Sequence, residues 1–309
     1  MHCTARLVWL APLLWIVGCE STATGAHTGA PANSSSREVK IFRGADGSAA
    51  TWADLVAAAA SADVVLIGEN HGHPLGLASA AALFDDVLAR SSRASLSLEF
   101  FERDDQTRVD DYLSGIADLE TFEKRAALTD SNYPPGHRAM VEAAKHAGRP
   151  VHASNAPWQY VTLARKEGYD RLRALTPEQQ RTFRIPDVLV GGRYRADFDK
   201  VMTPADKTDA DSPEFQALLD DCFRSQSVWD WTMSESIVRG LKNSEQPVVQ
   251  VIGHFHVDFR GGTVQALEMQ RPDTSALVVS YSASWSDQLA PADHERADFV
   301  IYVGPNAEE

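Results

Sequence analysis

This chain is poor in cysteine, carries no excess of positive charge and has no apolar run long enough to stay in a bilayer. Its three cysteines are Cys3, Cys19 and Cys222. Removal of an amino-terminal leader would take Cys3, and modification of Cys19 would leave Cys222 alone. An internal disulfide is then excluded even in an oxidising compartment, and the fold must be held by its core. No Cys-x-x-Cys-His run occurs, which excludes covalent haem attachment of the c type. Acidic residues number 43 against 29 basic ones, for a formal net charge of −14. That balance disfavours nucleic acid and anionic lipid surfaces as partners. The apolar stretch from Leu7 to Val17 follows Arg6 and is too brief for a membrane span. No internal repeat stands out.

What is present at the amino terminus reads as an export signal over residues 1–18. Ile16-Val17-Gly18-Cys19 resembles a bacterial lipobox, in which small residues before a cysteine fit the signal peptidase and the thiol receives diacylglycerol. The resemblance implies a mature chain beginning at Cys19, anchored by lipid to a membrane of the bacterial cell envelope; an ordinary secretory signal is the alternative. Residues 19–37 are rich in Ser, Thr, Gly, Ala and Pro and read as a flexible tether. Residues 38–309, roughly 270 in number, suffice for one large domain or a domain with a lobe.

Within that body, strand and helix patterns alternate. Glu38 to Phe42 alternates like a half-exposed strand, and Thr51-Trp52-Ala53-Asp54 is a capping box for a helix to Ala60. Buried strands are expected at Asp63 to Ile67, Ser95 to Phe100, Pro150 to Asn155 and Pro247 to Ile252, with final strands at Ala276 to Tyr281 and Phe299 to Val303. Helices are expected at Leu75 to Arg90, Gln106 to Leu113, Leu119 to Ala127, Gly136 to Ala147, from about Pro157, at Ser212 to Lys242 and at Thr263 to Met269. Asn155 is placed to cap the helix near Pro157 or to contact a ligand. Trp229 and Trp231 read as packing residues. The fold class is α/β: a mainly parallel central sheet flanked by helices, with a helical excursion at about residues 169–243 forming a smaller lobe.

Polar side chains gather after three of those strands. Val64 to Ile67 runs into Gly68-Glu69-Asn70-His71-Gly72-His73, the next buried strand ends at Leu98-Glu99, and Val248 to Ile252 runs into Gly253-His254-Phe255-His256. Ligands of parallel sheets collect beyond the strands' carboxyl ends. If the strands run parallel, the tails converge, and alternation along an extended chain would turn Glu69, His71 and His73, and likewise His254 and His256, toward one cavity. Glu69, His71, His73, Glu99, His254 and His256 are therefore candidate ligands of a divalent metal, whose bound water would be a nucleophile, and one carboxylate could instead serve as general base. The structural alternatives are helix capping for the glutamates and turn positions for His71 and His73. His256 is the stronger functional candidate of its pair.

These residues carry a family resemblance. Gly68-Glu69-Asn70-His71, Leu98-Glu99, Ala147 to Pro157, Gln226-x-x-x-Asp230-x-x-Met233 and Gly253-x-x-His256 resemble the ChaN-type haem-binding lipoproteins, within the wider group of Tiki, TraB and erythromycin-esterase proteins. The likeness runs in order from about Asp63 to Tyr281. It implies non-covalent haem binding in iron uptake or, on the Tiki branch, a metal-dependent peptidase or esterase with Glu69, Glu99 and His256 as catalytic residues. Asn70, Asn155, Gln226 and Asp230 would join the same pocket.

Haem needs an axial donor, an apolar slot and cations for its propionates. Gly191-Gly192-Arg193-Tyr194-Arg195 is the local candidate: flexible glycines, a phenolate donor at Tyr194 and propionate partners at Arg193 and Arg195. A solvated loop is the alternative, with Tyr133, Tyr160 or a histidine as other donors. The expected partners are haem or another small ligand and a membrane reached through the lipid; nucleic acid is not expected, and a homodimer is compatible with the sequence.

Overall fold

The computed structural model describes residues 36–129 and 132–306. The expected leader, the expected lipidation site at Cys19 and most of the expected tether fall outside the described residues.

Strand β1 (Lys40–Arg43) turns into β2 (Ala49–Ala50), and Thr51 then caps α1 (Trp52–Ser61). The Thr51 side chain accepts from the Asp54 amide while the Asp54 carboxylate accepts from the Thr51 amide, the reciprocal box that the sequence pattern predicts. The central strands are β3 (Val64–Glu69), β4 (Ser95–Glu102), β5 (Val151–Asn155), β6 (Val248–Gly253), β7 (Ala276–Ser282) and β8 (Phe299–Tyr302). Between them run α2 (Pro74–Arg90), α3 (Gln106–Leu113), α4 (Leu119–Arg125), α5 (Pro135–His146), α6 (Trp158–Arg173), α7 (Pro177–Gln180), α8 (Arg193–Met202), α9 (Pro213–Lys242) and α10 (Gly262–Gln270).

The described strands form one sheet in the order β2-β1-β8-β7-β3-β6-β4-β5. From β8 to β5 every pairing is parallel; only β1 and β2 are antiparallel. The fold is therefore α/β with a mainly parallel sheet, as the alternating pattern implies. In β3 the faces divide cleanly: Val65 and Ile67 enter the core beneath α1, α2 and α5, while Val64 and Leu66 enter a second core beneath α9 and α10. A strand covered on both faces must be apolar on both, which is why Val64 to Ile67 is a continuous run rather than an alternating one. Full burial of one such side chain contributes about 1.5–3 kcal/mol.

The excursion is tied to the sheet by α9. Its carboxyl half, with Met233, Ile237 and Val238, shares the core with β3 and β6, and its amino half, with Phe223 and Val228, holds two small clusters against α6 and α8. One 30-residue helix thus joins the excursion to the sheet. Asn155 does not cap α6. Its carboxamide oxygen bonds the next amide, Ala156, and the free amide at Trp158 is taken by Glu102 from the neighbouring strand. Trp231 is buried, and Trp229 stacks on Trp158 with ring centroids 5.8 Å apart.

Candidate active site at the carboxyl rim

Strands β3, β6 and β4 are adjacent and parallel, so their carboxyl ends meet at one rim. Glu69 is the register partner of Gly253. The β4–β5 pairing slips between Leu98 and Glu102, and in that irregular stretch Glu99 turns toward β6, where its Oε2 accepts from the Gly253 amide at 2.6 Å.

Glu69 is buried and accepts two imidazole N–H groups: His137 Nε2 at 2.7 Å and His71 Nδ1 at 2.9 Å. A carboxylate can only accept, so both nitrogens carry the proton. Burial alone would raise the Glu69 pKa, but the charge and hydrogen bonds of His137 and His71 bring it from 4.5 to about 2. Desolvation would lower His71, yet its bond to Glu69 and the charge of Glu99 carry it from 6.5 to about 9. The His71 side chain is 61% exposed, so solvent weakens these attractions. His137 is buried, and its Nδ1 has no hydrogen-bond partner among the described residues.

His256 is the second focus. Its Nδ1 donates to Asp230 Oδ1 at 2.7 Å, and its Nε2 stands 3.6 Å from Glu99 Oε1. Asp230 is fully buried and also accepts from Thr263 Oγ1 and from the Tyr194 hydroxyl, both at 2.8 Å. Gln226 Nε2 donates to the Tyr194 oxygen at 3.0 Å and lies against the His256 ring. Desolvation would lower His256, but Asp230 and Glu99 hold it above its ordinary value. The result is a linked cluster: a carboxylate between two imidazoles at Glu69, and an imidazole between two carboxylates at His256. Such a cluster can hold and relay protons at a sheet rim.

The structure brings Glu69, His71, Glu99, His256, Gln226, Asp230 and Tyr194 together. It sends others elsewhere. His73 caps α2, its Nδ1 accepting from the Gly76 amide and its Nε2 donating to the Gly304 carbonyl. His254 and His256 do not share a side, because residues 254–256 form a 3₁₀ turn instead of extended chain; His254 pairs with Asp258 at 2.8 Å, beside Arg296. Asn70 ties its turn to the Tyr281 carbonyl. His73 and His254 thus leave the expected six-residue metal set, and among the described residues no group of three or more His, Cys, Asp or Glu side chains is arranged to hold a metal ion.

The Gly191–Arg195 segment needs a larger correction. Residues 193–195 are the first turn of α8, not a loop. Tyr194 is buried, and burial with the adjacent Asp230 charge pushes its hydroxyl well above its ordinary pKa, against the expected phenolate. Arg193 pairs with Asp197, and Arg195 with Asp199 and Asp220. Tyr133 is likewise buried, its hydroxyl raised by desolvation.

Sequence reasoning missed His137 and Thr263. Both sit at helix starts, after Pro134-Pro135-Gly136 and after Gly261-Gly262. Glycine-bearing helix starts at a rim were the available signal.

The profile of the family described as haem-binding uptake, Tiki superfamily, ChaN matches residues 55–267. No curated protein matches the chain. Among solved structures, the haem-binding ChaN of Campylobacter jejuni, described by its cofacial haem binding, superposes with a TM-score of 0.66 at 15% identity, covering 85% of this chain and 96% of that one. The type III effector HopBA1 matches at a TM-score of 0.46 and 16% identity, over 88% of this chain and 98% of that one. An erythromycin esterase mutant in its open conformation gives 0.46 and 12%, over 82% and 79%.

Proposed function

We propose, for a chain that belongs to the haem-binding uptake, Tiki superfamily, ChaN family, that it binds haem without a covalent bond at the carboxyl rim. As a lipid-anchored protein of the bacterial envelope, it would serve iron uptake. The observation that carries this reading is the family match itself, which encloses every member of the rim cluster from Glu69 to Thr263.

The rim has a donor that suits haem. His71 presents an exposed imidazole whose Nδ1–H is held by Glu69; its raised pKa means that Nε2 also carries a proton near neutral pH, which ferric iron would have to displace to bind there. A carboxylate behind a ligating imidazole fixes its tautomer and raises its basicity. Tyr194 is unsuited by its burial and its bond to Asp230. Phe100 and Trp158, both incompletely buried near strand ends, offer apolar ring surface.

Hemin titration of the purified protein tests the reading: a saturable Soret shift is expected, altered in His71→Ala. No shift beyond that given by a non-specific apolar surface would end it. A shift unchanged in His71→Ala would keep haem and move the ligand.

The His256 environment supports a second reading, hydrolysis by acid–base chemistry. An imidazole clamped by buried Asp230, with its other nitrogen near Glu99, can deliver a proton to a leaving group while a carboxylate orients water. A screen of chromogenic esters and peptides tests it, and full activity in Glu99→Gln would dismiss Glu99 from the chemistry.

A further inference from the structure

Away from the rim, along the free edge of β5, lies a cavity of about 100 Å³ lined by Arg103, Gln106, His152, Arg181, Ser236 and Arg239. We propose that this cavity is a binding site for a small oxyanion, a phosphate or carboxylate group of a soluble ligand. The proposal does not rest on the haem reading.

Charge is the first argument. Three guanidinium groups line the space, in a chain whose formal net charge is −14. Among the described residues Glu235 is the one carboxylate paired with them, and it is shared: Arg103 Nη1 and Arg239 Nη2 both reach its Oε2 at 2.8 Å. The Arg181 guanidinium forms no hydrogen bond or ion pair among the described residues. His152 Nε2 donates to Glu245 at 2.5 Å. Arg103 and Arg239 therefore share one carboxylate, and Arg181 pairs with none among the described residues.

Construction is the second. Arg103 is only 8% exposed, and its guanidinium is fixed by Ser236 Oγ at 3.1 and 2.9 Å and by the Thr232 carbonyl at 2.5 Å. Burial, then repulsion from Arg239, lowers its pKa to about 10, the mark of a desolvated cation that its single carboxylate does not balance. The opposite wall is set by Gln106, whose amide bonds both the Val151 carbonyl and the Ala153 amide and so closes the strand edge. With the Nη1 bond to Glu235, the contacts of Arg103 engage four of its five N–H groups, so Arg103 offers an oxyanion one Nη1 hydrogen and a fixed positive charge, and the mobile forks are those of Arg181 and Arg239.

Size is the third. At about 30 Å³ per water, the cavity has room for roughly three waters, the scale of one oxyanion group and far below a porphyrin.

The test is calorimetric titration of the full-length protein with sodium phosphate and, separately, sodium succinate at constant ionic strength. Saturable binding of at least one is expected, weakened by about tenfold or more in Arg181→Gln and in Arg239→Gln, since each removes a charge-assisted contact. Arg181 and Arg239 are exposed, so both variants should fold. Phosphate alone saturating would assign a phosphate site, and succinate alone a carboxylate site. Three results overturn the proposal: no saturable heat from either anion, undiminished binding in both variants, or equal heats from sodium chloride. Hemin binding is expected to be unchanged in Arg181→Gln. Its loss with oxyanion binding intact would overturn the separation of the two sites.

Discussion

At the scale of single residues, the rim is governed by how each charge is matched. The His71–Glu69 pair has a defined pH window. The folded pKa of His71, about 9, lies above its ordinary 6.5, so its contribution to stability is complete below about 6.5 and lost as pH rises through 9. That of Glu69, about 2, lies below 4.5, so its contribution is complete above 4.5 and lost as pH falls through 2. The exposed ring keeps the His71 part small. In apo protein, the NMR titration of the His71 ring should have its midpoint near 9 and move down in Glu99→Gln, which removes one of the two carboxylates that raise it. A midpoint near 6.5 in both proteins would show that these carboxylates do not reach it. Asp230 is a different case: fully buried, it neutralises His256 and accepts from Tyr194 and Thr263. Asp230→Ala should cost about 3–5 kcal/mol by urea unfolding, because it strands a buried imidazolium. A cost under about 1 kcal/mol would mean that His256 simply becomes neutral.

At the scale of elements, close approach of backbone decides what the rim can hold. Helix α10 begins at Gly262 directly over Asp230 and Tyr194. A Cβ there would stand 2.2 Å from Asp230 Oδ2 and 2.5 Å from the Tyr194 ring, and neither buried group can withdraw. Gly262→Ala should therefore destabilise by about 1–3 kcal/mol and weaken the Tyr194–Asp230 bond, read as increased tyrosine exposure in near-ultraviolet spectra. Unaltered stability would show that α10 can slide. Gly253 plays a milder part: its missing Cβ leaves room for His71 Nε2, which would otherwise be 2.7 Å away, and that exposed ring can swing aside. The 3₁₀ turn at residues 254–256 performs the sorting that extended chain could not, sending His254 to Asp258 and His256 to Asp230.

At the scale of the whole molecule, the sheet separates two cores, and the proposed amino-terminal signal would set the compartment. On the lipoprotein reading proposed above, Cys19 would be the anchor. Cys19→Ser should move the protein from the membrane to the soluble fraction of cells and abolish palmitate labelling, while leaving hemin binding intact. Retention in the membrane would point to an anchor other than acylation. No helix among the described residues is long and apolar enough to cross a membrane.

The central strands and the mainly parallel character of their sheet were legible in the linear chain, because a strand buried on both faces must be continuously apolar, and parallel strands made Glu69, Glu99 and His256 candidates for one rim without fixing that they meet. Periodicity likewise revealed α9 and the capping box of α1. What the tertiary structure alone decided was where each side chain turns. Identical imidazoles two residues apart parted because a helical turn replaces the strand, and His137 arrived from a helix 68 positions away in sequence. Tyr194, outwardly a loop residue between arginines, became a buried donor once α8 formed. Local pattern encodes which residues must be buried, whereas direction depends on backbone turns and on partners distant in the chain.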